Sequence, residues 1–87
     1  MSNENKPLAE VLADTGAALL KFARALRAAP CGSNEALRTA RLGAAEQLDG
    51  RATQCGIWLF TVDRGPVGEE REAEMRAACA EFMRMIG

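Results

Sequence analysis

Three thiols are the most reactive side chains in this sequence, at Cys31, Cys55 and Cys79, and no imidazole stands anywhere to activate them: the chain has no His and no Tyr. A nucleophilic thiol or hydroxyl paired with His cannot be assembled, and the commonest general base is absent. The thiols are widely separated, so no close Cys-x-x-Cys pair offers a zinc site, and no metal ligation is expected. Cys55 and Cys79 read as small buried hydrophobes, while Cys31, in a Pro-Cys-Gly turn, reads as the exposed thiol. The acidic cluster Glu69, Glu70, Glu72 and Glu74 is spread around a solvated helix start, without an apolar pocket to raise a carboxyl pKa. Gly65-Pro66-Val67-Gly68 lacks the Lys and Ser or Thr of a phosphate loop. The expectation is a non-enzymatic protein that needs no cofactor.

Basic side chains offer the next possibility. Arg24 and Arg27 on one helix, with Arg38 and Arg41 on the next, could form a ridge for bidentate capture of a phosphate or carboxylate. That supports an alternative reading, a helical oligomer that sequesters a small anionic ligand such as a nucleotide. Their simpler role is to pair in solvent with Glu35, Glu46 and Asp49. Eleven basic against 12 acidic residues leave the chain nearly neutral, with both signs in every third of it, so nucleic-acid binding is disfavoured. A DNA-reading helix-turn-helix around Thr39–Glu46 fails because Asp49 falls where the second helix needs an apolar residue.

The run Cys55-Gly56-Ile57-Trp58-Leu59-Phe60 holds the only Trp and one of three Phe. No other segment could pair with it as a strand, so it reads as helix, and four consecutive apolar residues about 100° apart then cover the helix all round. One side must face the protein's own bundle and the other needs further cover. Ile57, Trp58 and Phe60 are therefore the expected partner-binding residues, because aromatic anchors carry a large share of interface energy. The expected function is binding of another protein, of the inhibitor or adaptor type. Small acidic helical chains of this kind are found among bacterial proteins and those carried by phages and mobile elements, an association at the level of class alone.

The elements that position these residues follow from spacing. Leu8, Leu12, Thr15, Leu19, Phe22 and Leu26 recur on one helical face, widened by Val11, Leu20 and Ala23. Pro7 suits the first turn, and Pro30 with Gly32 ends the helix. Gly16 weakens it by about 1 kcal/mol relative to Ala. Ser33 or Asn34 can cap a second helix, whose face reads Leu37, Ala40, Ala44, Leu48, Ala52, Cys55, Leu59 and Val62, with a kink allowed at Gly50. Asp63-Arg64-Gly65-Pro66 breaks the chain, and Met75, Cys79, Phe82 and Ile86 mark a third helix that begins with acidic residues, as the helix dipole favours.

The predicted architecture is all-α, a small three-helix bundle or a helical hairpin plus a third helix, over about 8–29, 34–62 and 67–86. Residues 1–6 read as a flexible N-terminus and 7–87 as one helical domain. A chain of 87 residues buries only about 60% of its unfolded surface. Oligomerisation is the natural supplement, and a homodimer with Trp58 near the shared surface is expected. The odd cysteine count, the polar N-terminus and the lack of a long apolar run suggest a cytoplasmic setting and no membrane insertion.

Overall fold

The structure, a computed structural model, describes residues 6–87. Among the described residues there are three helices and no strand: α1, Leu8–Ala28; α2, Glu35–Arg64; and α3, Glu69–Arg84. The chain is all-α, as its periodicities predict. Of the expected flexible N-terminus, the first five residues lie outside the described ones; Lys6 pairs through Nζ with Asp14 at 3.2 Å.

Local chemistry accounts for the boundaries. Pro7 precedes α1 with φ −56°, and its carbonyl accepts from Val11 N–H at 3.1 Å; its missing N–H costs nothing where no intrahelical acceptor exists. The turn after α1 places Gly32 at φ +57°, in the left-handed region where a Cβ would clash with the following carbonyl. Of the two candidate caps, Asn34 is the one used: its Oδ1 accepts from Leu37 N–H at 2.9 Å. α2 then runs without interruption through Gly50 to Arg64, where Gly65 and Pro66 end it. Glu69, Glu70 and Glu72 occupy the first turn of α3 and Arg84 the last, each complementing the helix dipole.

α1 and α2 form an antiparallel hairpin. Near its turn, Arg41 donates to Pro30 O at 3.0 Å. Midway, Gly16 faces α2 closely enough that a Cβ there would lie 3.5 Å from Cys55 Cβ. α3 folds back along the open end of this hairpin. Arg76 Nη2 donates to Lys6 O at 2.7 Å across 70 residues of sequence, and Met83 lines a crevice with Val11, Asp14 and Thr15 of α1. Phe82 stacks on Trp58 of α2, centroids 6.2 Å apart.

The core draws on all three helices: Leu8, Val11, Leu12, Leu19 and Ala23; Ala45, Leu48, Ala52 and Cys55; Met75, Cys79 and Phe82. Each large apolar side chain removed from water here contributes about 1.5–3 kcal/mol. Two expected faces are corrected by the structure. Phe22, assigned to the buried stripe of α1, is 39% exposed, and Leu37, assigned to the stripe of α2, is 38% exposed. Ala40 and Ala44 are exposed as well, and it is Ala45 that is buried. The cause is the length of α3. With 16 residues against 30 in α2, it covers only the end of the hairpin distant from the turn, and among the described residues no third helix covers the rows of Phe22 and Leu37 nearer the turn.

Candidate functional site

The aromatic run occupies the last two turns of α2, where the helix passes both α1 and α3. Helical rotation divides it. Trp58 and Leu59 turn inward and are half-buried against the core, with the Trp58 ring nearly parallel to Phe82, 9° between planes. Arg51 also lies over the Phe82 ring, its guanidinium carbon 5.5 Å from the ring centroid. Such cation–π contacts contribute about 0.5–1 kcal/mol at exposed positions. Trp58 is thus part of the seam between α2 and α3.

Ile57 and Phe60 turn outward. They are 55% and 62% exposed, the two most exposed large hydrophobic residues described. Gly56, Leu59 and Asp63 join Phe60 around a shallow depression beside them. Arg64 places its guanidinium carbon 5.2 Å from the Phe60 ring centroid, so a cation borders the apolar ring. Thr61 could make this patch polar, but its Oγ1 donates to Ile57 O at 3.0 Å and is folded onto its own helix. The surface offers a protruding aromatic ring, a branched aliphatic side chain and a paired charge, on a rigid helix. Of the three expected anchors, two lie together on this surface and the third supports it from below.

Three of the four arginines expected to bind an anion, Arg27, Arg38 and Arg41, are engaged within the chain. Arg27 forms an ion pair with Asp49, which holds the Asp49 carboxyl below its ordinary range and the Arg27 guanidinium above its own, the hydrogen bond between them being the main cause. Arg38 donates to Gly32 O at 3.3 Å, and Arg41 donates to Pro30 O and to Cys31 Sγ, the latter at 3.4 Å. Arg24 is exposed on α1. The four therefore converge on no common acceptor: two brace the turn and one ties α1 to α2. Sequence reasoning anticipated the Asp49 partner but could not see the backbone carbonyls, which carry no sequence signal.

Cys55 and Cys79 are fully buried and reduced, and Cys31 is partly exposed. Burial pushes the Cys55 thiol up to about 12, and the neighbouring Cys79 adds to the shift, so Cys55 is held as a neutral thiol. Among the described residues no group of three Cys, Asp or Glu side chains is placed to hold a metal ion, and no helix is long and apolar enough to cross a membrane. The feature that sequence reasoning missed is the contact of the Phe82 ring with both Trp58 and Arg51; only its helical phase relative to Cys79 hinted at contact with α2. No protein-family model, curated protein or solved structure matches this chain, and its functional reading therefore rests on the geometry of these surfaces.

Proposed function

We propose that this chain is a non-enzymatic helical protein that binds another protein through Ile57 and Phe60, in the manner of a small inhibitor or adaptor. The observation that carries this reading is the outward pairing of these two side chains on α2, beside a depression and a ring-stacked Arg64. Two large apolar residues left in water on an ordered helix lose burial energy that a complementary partner would restore, about 1.5–3 kcal/mol each when fully covered. The partner suited to it presents an apolar pocket for Phe60 with a carboxylate at its rim for Arg64. Trp58 contributes indirectly, by fixing the last turns of α2 against Phe82.

Affinity capture with the intact chain and with Phe60→Ala as parallel baits, read by mass spectrometry, tests this. A protein retained by the intact chain should be lost with Phe60→Ala while helicity and melting temperature stay unchanged. Trp58→Ala should instead lower stability by about 1–3 kcal/mol, since it removes a core contact. Identical captured proteins on the intact and Phe60→Ala baits would overturn the proposal.

A further inference from the structure

The buried thiols of Cys55 and Cys79 are reactive groups that the partner-binding reading leaves unused. Their placement follows from the contacts around them. Arg51 and Trp58 of α2 both meet Phe82 of α3. Residues three and four apart share a helix face, so Cys55, between those two, is turned towards α3. Cys79, one turn before Phe82, shares the face of α3 that is turned towards α2.

The two cysteines are also level with each other. Arg51 lies 13 residues before the last residue of α2, and Phe82 lies 13 residues after the first of α3. The helices therefore run back in step from the break at Gly65-Pro66. On the same count Cys55 is nine residues from that end of α2 and Cys79 ten from the start of α3, a mismatch of about 1.5 Å along the axes. Both side chains are fully buried in the same core, and Cys79 is near enough to hydrogen-bond with the Cys55 thiol.

We infer that Cys55 and Cys79 form a paired redox site, which a small-molecule disulfide such as oxidised glutathione converts to a disulfide bond tying α3 to α2. This goes beyond the partner binding proposed above and does not depend on it. Cys31 is not a rival partner for either thiol. It is held at the turn, where its Sγ accepts from Arg41 at 3.4 Å, and Cys55 lies 20 residues beyond Glu35, the first residue of α2. That is about 30 Å along the helix, whereas bridged cysteines have Cα atoms within about 7 Å.

Burial sets the route of the reaction. In the closed fold the Cys55 thiol is neutral and neither sulfur meets a reagent in solution. Separation of α3 from the hairpin exposes both together. One cysteine thiolate then attacks the S–S bond of the reagent, forming a mixed disulfide and releasing one thiol. The other cysteine thiolate attacks the protein sulfur of that mixed disulfide, forming the Cys55–Cys79 bond and releasing the second thiol. Two electrons pass to the reagent, and the protons of the two cysteines end on the released thiols. Return of α3 brings the second thiol to the mixed disulfide within one molecule, so this step outpaces capture of another reagent molecule. The bond formed then blocks the opening through which it was made.

Cys31→Ser removes the partly exposed thiol and leaves the pair for the test. The folded variant is equilibrated with mixtures of reduced and oxidised glutathione, quenched in acid and weighed by mass spectrometry. The expected product is lighter by two hydrogens, carries no glutathione, and yields on proteolysis two peptides joined through Cys55 and Cys79. Closing a loop of about 25 residues constrains the unfolded chain, so its melting temperature should rise by about 10 °C or more and fall back with dithiothreitol. If Cys31→Ser fails to fold, the unaltered chain gives the same peptide reading. Lasting glutathione adducts on Cys55 and Cys79 with no bond between them would overturn the inference. So would the absence of reaction at both thiols under conditions where hydrogen exchange shows α3 opening. A joined chain that melts below the reduced one would overturn it as well, since the native spacing would then not fit the bond.

Discussion

The two ends of the hairpin have similar helices and unlike fates. At the end covered by α3, Val11, Leu12, Cys55, Met75 and Cys79 are almost wholly removed from water. At the turn end the same two helices continue with good apolar spacing, yet Phe22, Leu37 and Leu42 stay exposed. The difference lies in what stands opposite. Periodicity fixes which residues share a face, but a face is buried only when another element reaches it. A two-helix end buries one narrow seam; a three-helix end encloses a core.

The sharpest way to set the ends against each other uses the thiols. Cys31 belongs to the turn and Cys55 and Cys79 to the covered end. A disulfide reagent at mildly alkaline pH should modify Cys31 directly, whereas the other two should react only through opening of the fold. For a domain about 5 kcal/mol stable, that implies a rate ratio of about 10³ or more. Three equivalent fast thiols, counted by mass spectrometry, would mean that the covered end is not closed.

Side-chain truncation gives the next largest contrast. Leu12→Ala removes a fully buried side chain and should cost about 2–5 kcal/mol in urea unfolding. Phe22→Ala, despite the larger side chain, should cost less than about 1 kcal/mol in the monomer, measured at low concentration. Similar losses at both positions would show that the turn end is as well packed as the other.

The smallest effect concerns the ion pair that spans the hairpin. Asp49 has its pKa lowered, chiefly by its hydrogen bond to Arg27. A depressed carboxyl stabilises the fold above its ordinary pKa, and that stabilisation is lost as pH falls through the lowered folded value. Because both groups are open to solvent, the effect is screened and small. Asp49→Asn should slightly lower the melting temperature at neutral pH, and the gap from the parent chain should close in acid. A gap that persists unchanged below the carboxylate range would assign it to something other than the ion pair.

Much of this was readable from the residues. The capping amide of Asn34, the break at Gly65-Pro66 and the acidic start of α3 are local signals, and the helices end within two residues or so of where those signals put them. The inward part of α2 was harder to phase. Ala44 and Ala45 are the same residue type a hundred degrees apart, so composition could not say which would face α1. Phe22 and Leu37 failed for a tertiary reason, the length of a helix that comes later in the chain. At the candidate site, sequence alone placed Ile57, Trp58 and Phe60 on one all-round apolar helix; which of them faced out depended on Phe82, whose ring claims Trp58.

The thinness of the molecule has an electrical consequence. Its extents are 49 × 26 × 16 Å, so the shortest is less than two helix diameters of about 10–12 Å each. No point inside is far from a medium of high dielectric constant, on one side or the other. Where side chains are nonetheless closed off from water the charged form is disfavoured, as at Cys55, whose thiol burial pushes up to about 12. Among the described residues the buried ones accord with that: the one polar member is Thr15, and the ionisable ones are the thiols of Cys55 and Cys79, for which the neutral state is the ordinary one.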